Sequence, residues 1–103
     1  MNALLLRNGH LQFTAELVQR AFAGEQQLRR VYYPERRALL LAPKSDIFFE
    51  KMHKTTWFVP KDRNLLGDKA IDVRDILLDN DLDEADREVT YELEPTGVLC
   101  VIL

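Results

Sequence analysis

Ten side chains in this sequence could meet a polyanion. Arg7, Asn8 and His10 bracket an Asn-Gly pair, Arg20, Arg36 and Arg37 follow, and Lys61, Arg63, Asn64 and Lys69 form a second basic, turn-rich stretch. Cations neutralise phosphates, and Arg and Asn can bond base edges, so two such loops on one face would make a DNA-binding surface. A protein partner is the rival expectation. Trp57, Phe58, Phe48, Phe49, Tyr32 and Tyr33 are many aromatics for 103 residues, and any left exposed is an anchor for another protein. Phe48, Phe58 and Tyr33 are assigned to the core, whereas Trp57 and Tyr32, with the acidic Asp81 and Asp83, are the partner-facing candidates. The placement of the basic loops discriminates between the two. One shared face favours DNA; opposite ends with exposed aromatics favour a protein.

Enzyme chemistry finds little to use. His10 and His53 stand alone, with no Cys, Ser or Asp at a spacing that forces proximity, and no Gly-rich phosphate loop is present. Cys100 lies inside an apolar run and reads as packing rather than as a nucleophile. Asp79, Asp81 and Asp83 alternate as a calcium loop begins, but Glu84 stands where a Gly is needed and Thr90 where a bidentate Glu is needed. A non-enzymatic protein with no metal and no cofactor is therefore expected.

Formal net charge is −3, but it is unevenly spread. Residues 1–69 carry 12 Lys and Arg against 7 Asp and Glu, whereas residues 70–103 carry 2 against 10. The basic part could face a polyanion. The acidic stretch 72–94 could mask it or meet a basic partner. With 47% hydrophobic and 30% charged residues, and Gly and Pro at only 4 each, disordered and low-complexity classes are excluded. No apolar run approaches the roughly 20 residues that span a bilayer, and Met1 opens no signal-peptide series. A cytoplasmic protein without a membrane partner is expected, and its single cysteine excludes an internal disulfide.

These side chains must be positioned by short elements. Asn8-Gly9 is a strong hairpin signal between the apolar run 2–6 and the alternating Leu11 and Phe13. Thr14 can cap a helix whose apolar face is Leu17, Val18, Ala21 and Phe22, stopped at Gly24. Strands follow at 30–33 and 38–42 around a turn at 34–37, and the latter run ends at Pro43. Ser45 or Asp46 can cap a short helix over 47–53 with Phe48, Phe49 and Met52 on one face. A strand at 55–59 leads into a polar loop 61–64. Ile71 and Val73 alternate, Ile76, Leu77 and Leu82 continue as a short helix, 79–86 is an acidic break, and a hairpin closes the chain around 95–97.

The two halves follow one plan. Adding 60 carries Leu11 to Ile71, Phe13 to Val73, Leu17 to Leu77, Leu39 to Leu99 and Leu41 to Val101, while Val31 and Tyr33 align with Val89 and Tyr91 at an offset of 58. The stretch from Leu6-Arg7-Asn8-Gly9-His10 through Thr14 to Leu17, followed by Val31-Tyr32-Tyr33 and Leu39-Leu40-Leu41-Ala42-Pro43, resembles the AbrB-type swapped-hairpin family, which includes MazE-type antitoxins and MraZ regulators. The first half carries the likeness over about 40 residues and the second half only in pattern. The resemblance implies a double-split barrel of two interlaced halves, here in the tandem, single-chain form of the MraZ branch, and DNA contact through the loop at Arg7 to His10; a homo-oligomer is also expected. His10 and Thr14 depart from the family's usual Gly-Arg and apolar-Pro steps. The fold expected is α+β and β-rich: one domain, 1–103, of two similar strand-loop-strand-helix-hairpin halves at about 1–43 and 55–103, interlaced across a connector at 44–54. One half alone offers too little apolar surface to stand by itself.

Overall fold

The computed structural model describes residues 4–22, 25–53, 55–63 and 67–103. Gly24 and Asn64 lie outside the described residues. The chain opens with a hairpin of β1 (Leu4–Arg7) and β2 (His10–Phe13). Its turn residues Asn8 and Gly9 have φ of 51° and 73°, the left-handed pair that matches the twist of the flanking strands. α1 (Ala15–Phe22) starts where the Thr14 hydroxyl accepts from the Leu17 N–H at 3.3 Å, and buries Leu17, Val18, Ala21 and Phe22. β3 (Leu28–Tyr33) and β4 (Ala38–Pro43) are joined by one tight helical turn at Pro34–Arg36, closed by Arg37 at φ 52°.

α2 (Ile47–Met52) is capped by Asp46, whose carboxylate accepts from the Phe49 N–H at 3.0 Å. β5 (Thr56–Phe58), β6 (Lys61–Asp62), β7 (Lys69–Asp72), α3 (Arg74–Asp79), β8 (Arg87–Glu88), β9 (Thr90–Leu93) and β10 (Leu99–Ile102) complete the chain. The segment expected as a polar loop therefore begins as a strand. Lys61 and Asp62 pair with Ala70 and Lys69 through backbone groups, which any side chain can supply.

Two five-stranded antiparallel sheets result, in the orders β6-β7-β2-β1-β8 and β5-β3-β4-β10-β9. Each mixes strands from the two parts of the chain. Only Val59 and Pro60 separate β5 from β6, and only Val89 separates β8 from β9, so the same two stretches of chain border both sheets. Pro60 has no N–H to give a ladder, which fits a break at that point. Alternate residues turn inward from both sheets: Leu4, Leu6, Leu11, Phe13 and Ile71 from the first, Leu39, Leu41, Leu99 and Val101 from the second. With Leu17, Phe22 and Leu77 from the helices they form the main core.

The register relates residues 60 apart. Leu11 pairs with Ile71 across β2 and β7, and Leu40 pairs with Cys100 across β4 and β10. The alignment of Val31 and Tyr33 with Val89 and Tyr91 is corrected by the same register. Leu40 faces Val31, and its counterpart Cys100 faces Glu92, so Val31 corresponds to Glu92. Val89 and Tyr91 instead point to the main core, as Tyr32 does. An odd-numbered slip reverses which face a strand residue occupies, and the sequence pattern alone did not fix that parity.

A second, smaller cluster lies on the outer side of the second sheet. Leu40, Ala42 and Phe49 form it, with Val31, Tyr33, Val98 and Cys100 packed against them. α2 covers part of this face.

Candidate functional site

The first basic loop is engaged by its own molecule. The Asn8 N–H donates to Asp86 Oδ1 at 3.0 Å, and the Asn8 carbonyl accepts from Arg74 Nη2 at 2.8 Å and His10 Nδ1 at 2.9 Å. A carbonyl only accepts, so His10 Nδ1 carries a hydrogen, and Nε2 lies 4.0 Å from Asp72 Oδ2. Asp72 also accepts from the Arg74 N–H at 2.9 Å. That bond is the largest cause holding its carboxyl below the ordinary range; burial opposes it, and His10, Arg74 and Lys61 assist. Arg74 and Asp86, which sequence reasoning did not single out, thus shape this loop. The only signal they offered was charge.

The second basic loop is elsewhere. Arg7 pairs with His10, and His10 with Asp72, so the Asn8-Gly9 turn lies at the Asp72 end of β7, where the Val73 N–H donates to the Gly9 carbonyl at 2.9 Å. Lys69 opens β7 at the other end, beside Asp62, and the Arg63 N–H donates to the Asp68 carbonyl at 2.9 Å. Arg7 and Arg63 therefore stand at opposite ends of one sheet. Lys69 is ion-paired to Asp62, while Lys61 and Arg63 are exposed. Arg20 is exposed in the last turn of α1. Arg36 lies over the Tyr33 ring at 4.8 Å, and Arg37 Nη2 donates to the Leu103 main-chain oxygen at 2.7 Å. Among the described residues, the two basic loops predicted from sequence for DNA are thus not brought to one end of the sheet.

The partner-facing candidates divide. Trp57 is 52% exposed, with Lys44 Nζ 3.9 Å from its ring centre. Tyr32 turns inward instead. Its hydroxyl is buried without a hydrogen-bond partner among the described residues, and burial, offset in part by Arg37, pushes that hydroxyl's pKa up. Asp81 and Asp83 are exposed, Asp81 at φ 53° and Asp83 accepting from the Ala85 N–H at 2.9 Å. Among the described residues no three His, Cys, Asp or Glu side chains converge as a metal site, and no helix is long and apolar enough to cross a membrane. Burial raises the Cys100 pKa, with Glu94 adding to it, which keeps the sulfur protonated and poorly nucleophilic near neutral pH.

α2 supplies what the basic loops lack. Phe49, 2% exposed, packs inward against Leu40 and Ala42, and its ring lies 4.8 Å from that of His53, which shares a hydrogen bond with the Tyr33 hydroxyl. Phe48 and Met52, one turn apart, are 73% and 76% exposed. The assignment of Phe48 to the core is thus corrected: a two-turn helix lying on a sheet buries one stripe, and Phe49 with His53 takes it. Beside Phe48 and Met52 runs a groove of about 270 Å3, bounded across from α2 by Glu94, Thr96 and Val98 of the turn between β9 and β10.

No protein-family model matches the chain, and no curated protein or solved structure matches it either.

Proposed function

We propose that this protein is a non-enzymatic interaction module that docks a protein partner on the face made by α2 and the outer side of the second sheet. The observation that carries this is the pair Phe48 and Met52, 73% and 76% exposed beside an apolar groove, while Arg7 and Arg63 stand at opposite ends of the other sheet. Exposed apolar clusters of this kind mark binding surfaces, and large flexible side chains such as Met adapt to a partner. A double-split barrel of the AbrB, MazE and MraZ type is our proposed scaffold. Strands of both halves joined within each sheet, with Leu11 beside Ile71 and Leu40 beside Cys100 in the register, support it.

DNA binding is the second function, favoured by Arg7, which is exposed and has no side-chain partner among the described residues. Fluorescence anisotropy against mixed duplex DNA at low and moderate salt, with the Arg7→Ala, Arg63→Ala double variant alongside, separates the two. The docking role predicts no binding that the double variant abolishes. Salt-sensitive binding lost in that variant would transfer the function to DNA.

A further inference from the structure

We infer that the occupant of the α2 groove is a protein segment that inserts an apolar side chain and flanks it with Lys or Arg. The inference rests on the docking role proposed above. Leu40, Phe48, Met52 and Val98 give the groove an apolar lining, and the charged groups within it are the carboxylates of Asp46 and Glu94. Asp46 spends one oxygen on the α2 cap. Glu94, just past the end of β9, has no side-chain partner among the described residues, and neither has Glu92, two residues earlier within that strand. In the register Glu92 stands beside Cys100, so the acidic rim continues along the apolar strip of the outer sheet face. Arg36, whose charge acts on Cys100, is held over Tyr33.

The sign of this rim chooses among occupants. DNA would bring phosphates to carboxylates. A second copy docked through the same groove would bring its own Asp46 and Glu94 to a patch that already carries both, because an isologous interface presents the same surface twice. An apolar anchor flanked by cations meets both the lining and the rim.

The test uses the full isotope-labelled chain and three helix-forming peptides that share two Leu anchors one turn apart and differ in flanking Lys, Ser or Glu. With the Lys-flanked peptide, amide shifts are expected at Leu40, Phe49, Met52 and Val98. Affinity should fall roughly three- to ten-fold in the Glu92→Gln, Glu94→Gln variant and vanish in Phe48→Ser, Met52→Ser. Ser- or Glu-flanked peptides binding as tightly would overturn the basic-partner inference while leaving the docking role. Silence with all three peptides overturns the inference, and if duplex DNA then shifts Arg7 and Asn8, the docking role falls with it. Light scattering of the protein alone that shows a dimer abolished by Phe48→Ser would also overturn it, in favour of a second copy.

Discussion

At the residue scale, single side chains fix the turns that set the ends of the sheets. Gly9 sits at φ 73°, and a Cβ there would lie 2.9 Å from Arg74 Nε and 3.1 Å from Arg74 Cβ. Gly9→Ala should therefore destabilise the fold by about 1–2 kcal/mol, read by urea unfolding, because the backbone is strained and the Arg74 contact must give way. Asp72 offers a pH test. Its carboxyl is held below the ordinary range, chiefly by the Arg74 N–H. Its contribution is present above the usual carboxylate range and is lost as pH falls through its lowered value in the folded protein. The Asp72 side chain is 57% exposed and screened by water, so Asp72→Ala should cost only about 0.5 kcal/mol at neutral pH, and unfolding curves of the two proteins should converge in acid. The Asn8-Gly9 turn and the Thr14 and Asp46 caps were legible in the sequence, because each depends on near neighbours. The Asp86 and Arg74 bonds to Asn8 were not, since they join residues 78 and 66 positions apart.

At the element scale, α2 shows how far a hydrophobic pattern can inform. Phe48, Phe49 and Met52 recur at helical spacing, and the helix itself was expected. Two stripes were available, however, Phe48 with Met52 and Phe49 with His53, and only the sheet beneath decides which is buried. Phe49→Ala should cost about 3 kcal/mol, the usual toll of an aromatic removed from a core, whereas Phe48→Ser should change stability by less than about 0.5 kcal/mol. Thermal and denaturant unfolding of the two variants check this inside-outside assignment. The reverse order would place Phe48 in the core. The polar strand β6 and the correspondence of Val31 with Glu92 were hidden for a related reason. Backbone pairing leaves no mark in side-chain chemistry, and strand parity depends on a partner that local sequence does not name.

At the scale of the whole molecule, the repeat was visible but its geometry was not. A sequence offset of 60 invites the expectation that the two basic loops share a face. Antiparallel pairing of Leu11 with Ile71 does the opposite, because it runs corresponding strands past each other and sends their loops to opposite ends of the sheet. The same pairing makes the halves interdependent. Each of the inner strands β1, β2, β3, β4, β7 and β10 has a neighbour from the other part of the chain. A fragment ending at residue 53 should show no cooperative unfolding by circular dichroism, since it would expose both the Leu11 and Leu41 faces and four unpaired strand edges, on β1, β2, β3 and β4. A cooperative melt from that fragment would contradict the interdependence.

Two surfaces compete for the binding role, the α2 face and the basic loops. The most direct measurement is amide chemical-shift mapping of the labelled full chain, titrated separately with mixed duplex DNA at low salt and with the Lys-flanked apolar peptide. The docking role predicts peptide-induced shifts confined to α2, Leu40 and the turn at 94–98, with Arg7, Asn8 and Arg63 unmoved by DNA. Saturable DNA shifts at Arg7 and Asn8, lost in the Arg7→Ala, Arg63→Ala variant while α2 stays silent to the peptide, would contradict it.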